Sequence, residues 1–138
     1  MARDNAQVTA IQRGGYILRD CAAPQAVVIA TGSEVDLAVR AAAQLAERGV
    51  SVRVVSMPCA EVFDAQDSAY RESVLPSAIR ARVAVEALHA DYWFKYVGLD
   101  GRVVGMRSFG ESAPGGELMQ EFGFTVENVI DRLLEVIA

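Results

Sequence analysis

The chain reads as an α/β protein: an open, mostly parallel sheet of about five strands, with room for one antiparallel edge strand, and helices on both faces in a three-layer sandwich. Two observations carry that reading. Residues 26–46 spell strand, glycine turn and helix without a gap. Ala26-Val27-Val28-Ile29-Ala30 is a short β-branched run of the kind buried on both faces of a parallel sheet, and Thr31-Gly32-Ser33 follows as turn and helix start. The phrase then recurs, because apolar runs at 50–57, 82–86 and 102–106 alternate with helix-patterned segments, and such alternation implies right-handed β-α-β crossovers.

Taken in order, Met1 to Arg13 is polar and weakly patterned and reads as a linker from an upstream domain. Gly14-Gly15-Tyr16-Ile17-Leu18-Arg19-Asp20 reads as the edge strand, so residues 1–25 lead in and residues 26–138 form the α/β domain. After the first buried strand, Ser33 and Asp36 have the spacing of a capping box. Val35, Ala38, Val39, Ala42, Leu45 and Ala46 then give one apolar helical face, which Gly49 closes. The second strand, 50–57, stops at Pro58, since a proline cannot donate to a ladder.

From Glu61 to Leu75 the pattern is irregular; Val62 and Phe63 stand there, and a short helix is expected from Asp67 to the break at Pro76. Arg82 to Glu86 is the third strand, followed by a helix over 89–97, a turn at Gly98-Leu99-Asp100-Gly101 and a fourth strand at 102–106. Ser112 has the position to cap a helix beginning at Pro114. Thr125 caps a last helix whose Val126, Val129, Ile130, Leu133, Leu134 and Ile137 form the cleanest apolar stripe in the chain.

Composition limits the function. A chain of 138 residues is one domain able to bury roughly two thirds of its unfolded surface without staples. A net charge of -5, with Lys95 the only lysine, argues against nucleic acid or an anionic membrane as partner. No apolar run approaches the length of a membrane span and the first residues lack a signal-peptide core. Cys21 and Cys59 match neither a metal-ligand spacing nor a redox pair, so a reducing cytoplasm is the expected compartment and no metal site is expected.

Chemistry-bearing motifs are sparse. His89 is the sole histidine, and a small enzyme built on it would use Glu86 or Asp91 as its acid-base partner, yet a structural or solvated imidazole is the plainer reading. Thr31, Gly32 and Ser33, at the start of a helix, form a candidate anion site that would suit a free-standing metabolite-binding module, although one glycine at such a turn is more often turn chemistry alone. Glu127, Asp131 and Glu135 make a like-charged ridge at i,i+4 spacing, read as a solvated face. Tyr92, Trp93, Phe94 and Tyr96 place four of the chain's ten aromatic residues (one Trp, four Tyr, five Phe) within five positions. On a helix they spread over about 200° of arc, wider than one core-facing stripe, which makes them a candidate interface with another domain or subunit.

Several blocks resemble, in order and spacing, the C-terminal domain of bacterial transketolases. They include Ala30-Thr31-Gly32-Ser33-Glu34-Val35, Arg53-Val54-Val55-Ser56-Met57-Pro58, Tyr70-Arg71-Glu72-Ser73-Val74-Leu75-Pro76 and Arg82-Val83-Ala84-Val85-Glu86-Ala87. Asp91-Tyr92-Trp93, Lys95-Tyr96-Val97-Gly98, Phe109-Gly110-Glu111-Ser112-Ala113-Pro114 and Phe122-Gly123-Phe124-Thr125-Val126 agree, as does Arg13-Gly14-Gly15-Tyr16. The chain departs from the family at Leu88, where glycine is usual, and at Gly115-Gly116, where helix formers are usual. The resemblance implies a thiamine diphosphate (ThDP) and Mg-dependent homodimeric transferase that moves two-carbon ketol units between sugar phosphates in the pentose phosphate pathway. It also implies that cofactor and metal are held by domains absent here, so that no catalytic, cofactor-binding or metal-binding residue is carried over. The portion present would be a scaffold and dimer contributor, inert alone.

Overall fold

The computed structural model describes residues 11–86, 93–105 and 125–138. Its sheet has five strands, β1 (Tyr16–Arg19), β2 (Ala26–Ala30), β3 (Val52–Ser56), β4 (Arg82–Glu86) and β5 (Arg102–Gly105), in the order β1-β3-β2-β4-β5. All neighbours are parallel except β1 and β3. The edge strand foreseen at the glycine pair is therefore antiparallel, with a register shift between Ile17 and Arg19 that marks a bulge, a common way of ending pairing at a sheet edge.

The helices are α1 (Val35–Glu47), α2 (Ala60–Asp64), α3 (Ser68–Val74), α4 (Phe94–Val97) and α5 (Val126–Ile137). The period-two alternation of β2 decides which face each residue serves. Ala26, Val28 and Ala30 point to one face, where α1 and α5 pack on the sheet and on each other. Ala38, Ala41 and Ala42 of α1 are all buried, and their small side chains let this helix lie close to both neighbours. Val129, Ile130 and Leu133 of α5 are buried against the same face, each contributing about 1.5–3 kcal/mol by leaving water. Val27 and Ile29 point the other way, into a second core completed by Phe63, Val74, Trp93 and Tyr96. Two cores on opposite faces of one sheet make the three-layer sandwich that the sequence predicts.

Helix ends follow local chemistry, with one correction. Thr125 caps α5 through its hydroxyl, which accepts from the Asn128 amide at 3.1 Å, and Asp67 caps α3 by accepting from the Tyr70 amide at 2.7 Å. At the end of α1, the Val50 amide donates to the Leu45 carbonyl and the Gly49 amide to the Ala46 carbonyl, the paired bonds of a Schellman closure. The backbone does not place Ser33 at the cap position that the capping box expected from Ser33 and Asp36 needs. A single 3-10 turn, Gly32–Glu34, precedes α1, so Ser33 lies within it and not at a cap position, and Asp36 instead pairs with Arg40 one turn on at 3.0 Å. Helix α2 is a further difference: its five residues are too few for an apolar period to show in sequence. Of the helix expected over 89–97, residues 89–92 lie outside the described residues, as does the helix expected from Pro114.

Two glycines fix the chain path. Gly14 has φ 84, and a Cβ there would come within 2.2 Å of the Cys59 carbonyl oxygen and 2.5 Å of the Phe63 nitrogen, so the lead-in lies directly on the start of α2. Gly32 has φ 58, in the left-handed region, but its surroundings are open: a Cβ would meet only a Glu34 carboxyl oxygen at 3.8 Å. The cost of substitution at Gly32 is thus conformational and not steric. Gly32→Val should lower unfolding free energy by more than about 1 kcal/mol, and Gly32→Asn by less, because asparagine tolerates this region. Denaturant titration of both variants tests this, and equal stability of parent and Gly32→Val would refute it.

Candidate functional site

The side of the sheet that carries α2, α3 and α4 holds most of the long-range polar bonds. Two arginines organise it. Arg53 on β3 donates to the Ser73 and Val74 carbonyls at 3.0 and 3.1 Å and pairs with Asp20 at 3.0 Å. Arg82 on β4 donates through Nε to the Ile79 carbonyl at 2.9 Å, through one terminal nitrogen to the Tyr96 carbonyl at 2.7 Å, and through the other to Leu75 and Pro76 at 3.2 and 2.7 Å. The last carbonyls of α3 and the loop after it, which no amide within the helix can satisfy, are in this way bonded by guanidinium groups. Burial pushes the Arg82 pKa below its ordinary value. For Asp20, burial pulls the carboxyl upward, but its bonds to Arg53 and to the Cys21 amide win and hold it below the usual range.

Beside Arg82 lies a cavity of about 480 Å³. Phe63, Leu75 and Tyr96 give it apolar surface, Arg71, Arg82 and Lys95 contribute positive charge, and Asp64 and Glu72 contribute carboxyl groups. Asp64 accepts from Lys95 at 2.7 Å and from the Tyr96 hydroxyl at 2.9 Å, joining α2 to α4. Tyr96 has its phenol pKa raised, first by burial and then by that bond, and Lys95 has its ammonium pKa raised by the bond to Asp64. Glu72 accepts from both the amide and the hydroxyl of Ser77, each at 2.8 Å, and the amide bond above all holds its carboxyl below the ordinary value. Tyr70, whose hydroxyl donates to the Gly15 carbonyl at 2.7 Å, sits under Arg13 at 4.5 Å and ties the lead-in to α3.

The residues singled out from sequence fare unevenly. Thr31 is extended, its carbonyl accepts from the Glu34 amide at 3.2 Å, and Glu34 is buried beside Gly32. An anion at Thr31, Gly32 and Ser33 would therefore lie against a carboxyl group, an arrangement that favours a structural bend over an anion cradle. Of the four aromatic residues expected at an interface, Trp93 and Tyr96 are 5% and 6% exposed and belong to this domain's own core, with ring centroids 5.4 Å apart. That corrects the expectation for these two; Tyr92 lies outside the described residues, and Phe94 is described only in its backbone. His89, Asp91, Glu111 and Ser112 also lie outside them, while Glu86 is buried at the end of β4. On the acidic ridge, Glu135 pairs with Arg132 at 2.8 Å and lies 3.8 Å from Arg102, so that part of the ridge is neutralised. Arg71, Arg82 and the Asp64–Lys95–Tyr96 cluster were not foreseen as a site; the only signal was that Lys95 is a sole lysine beside an aromatic group.

Residues 14–125 match the transketolase-like C-terminal domain family. The chain belongs to that family. It is 60% identical to transketolase 1 of Escherichia coli strain K12 over 136 residues, which is 98% of this chain and 20% of that protein. Among solved structures it is similar to transketolase from Leishmania mexicana, with 45% identity and a TM-score of 0.86 over 94% of this chain and 19% of that one. It is also similar to Pichia stipitis transketolase in complex with sedoheptulose-7-phosphate, with 35% identity and a TM-score of 0.81 over 91% of this chain and 18% of that one. The chain thus spans about a fifth of the length of the transketolases it matches.

The magnesium that the resemblance implies for a full-length enzyme does not suit this cavity. Magnesium takes oxygen ligands, but Asp64 and Glu72 are already engaged by a cation and by hydroxyl and amide donors, and three positive side chains stand beside them. Among the described residues, no group of three or more His, Cys, Asp and Glu is placed to hold a metal ion.

The Glu72–Ser77 bonds give a testable pH dependence. Because the folded pKa of Glu72 lies below its ordinary value of 4.5, the bonds stabilise the fold in full above that value, and the contribution is lost as pH falls through the lowered one. Glu72→Gln should therefore show a shallower loss of stability with falling pH below about 4.5 than the parent. Parallel acid limbs in denaturation midpoints of the two proteins would contradict this.

Proposed function

We propose that the chain serves as the C-terminal, non-catalytic domain of a cytoplasmic, homodimeric transketolase, supporting the fold and the dimer of an enzyme that uses ThDP and magnesium to move two-carbon ketol units between sugar phosphates in the pentose phosphate pathway. The observation that carries the reading is how the polar side chains of its most polar face are used. Arg53, Arg82, Asp64, Glu72 and Tyr70 each bond across elements, closing helix ends and loops, as a scaffold requires. High identity across nearly the whole chain, set against a fifth of the relatives' length, supports placing the reaction in the remaining four fifths. Among the described residues, no helix is long and apolar enough to cross a membrane.

The purified chain should give no magnesium-dependent heat on titration with ThDP and no ketol transfer from a ketose phosphate to an aldose phosphate. Stoichiometric, magnesium-dependent ThDP binding by the chain alone would overturn the assignment.

A further inference from the structure

We propose that the cavity between α2, α3 and α4 is a binding site for a small organic phosphate. Its charge is the first argument. Three cations and two carboxyl groups line it, and both carboxyl groups are engaged, Asp64 by Lys95 and Tyr96 and Glu72 by Ser77. The positive groups are less completely matched. Arg71 donates only its Nε–H, to the Gln66 carbonyl at 3.1 Å, and its two terminal amino groups have no partner among the described residues. Arg82 directs its bonds to carbonyl oxygens and feels the Glu72 charge only at a distance, without a carboxylate ion-pair contact among the described residues.

Shape and donor type narrow the ligand. A planar guanidinium fork matches a phosphate or carboxylate edge with two parallel bonds, and the hydroxyl of Ser68 can donate beside it, that of Ser77 being donated to Glu72. At about 480 Å³ the space exceeds what a bare oxyanion fills and falls in the range of small-molecule sites. Phe63, Leu75 and Tyr96 supply apolar surface for the organic part. A phosphate monoester with a compact apolar or ring portion satisfies both halves.

The site is independent of ketol transfer, so its test uses binding alone. The chain is titrated with inorganic phosphate and with phenyl phosphate at constant ionic strength, following backbone amide resonances of Ser68 and Ser77, with sodium chloride as control. The expected result is saturable shifts with both probes, tighter binding of phenyl phosphate, and at least about a tenfold loss of affinity in Arg71→Gln, whose exposed position spares the core. Arg71→Lys, which keeps charge without the fork, should bind more weakly than the parent and more tightly than Arg71→Gln. Equal affinity in parent and Arg71→Gln, the same shifts with chloride, or no saturation with either probe would overturn the proposal.

Discussion

The structure depends on how the carbonyl end of α3 is held. Ser73, Val74, Leu75, Pro76 and Ile79 present their oxygens to two guanidinium groups, Arg53 from β3 and Arg82 from β4. Those strands stand on opposite sides of β2, so the pair ties one helix terminus across the middle of the sheet. A guanidinium suits the task because its donors form a rigid fork and its charge complements the negative end of the helix. With α3 fixed, Phe63, Val74 and Leu75 can close the second core, and Arg82 also reaches the Tyr96 carbonyl in α4.

The lead-in before the sheet is held by the same face. Gly14 lies against the start of α2 where no side chain fits, Gly15 lies against the Met57 and Phe63 side chains, the Cys59 amide donates to the Gly14 carbonyl at 2.9 Å, and Tyr70 reaches from α3 to the Gly15 carbonyl. β1 is consequently set at the sheet edge beside β3 before its own pairing begins. The segment from Gly14 onward, read in sequence as a lead-in with an edge strand, is part of the packed domain, with Tyr16 almost fully buried.

What could be read from sequence was what local periodicity encodes. β2 and β4 fall on the residues that their β-branched runs predict, and α5 follows its apolar stripe and threonine cap. The face that bears the cavity was not legible, because its bonds join residues far apart in the chain: Asp64 to Lys95 spans 31 positions and Tyr70 to Gly15 spans 55. Nothing local distinguishes Arg82 from a solvated arginine at a strand start. Trp93 and Tyr96 misled for the opposite reason. Angular spread on an ideal helix implied excess aromatic surface, whereas α4 is a single turn and both residues belong to the same buried cluster as Phe63 and Ala84.

This face serves first to build the fold, and Arg82 is where that can be tested most directly. Arg82→Met keeps the length and apolar stem of the side chain and removes four donated bonds, which should cost about 2–4 kcal/mol in denaturant unfolding. Arg80→Met, a neighbouring charge on an exposed side chain, should change stability by less than about 0.5 kcal/mol. An Arg82→Met midpoint equal to that of the parent would contradict the account.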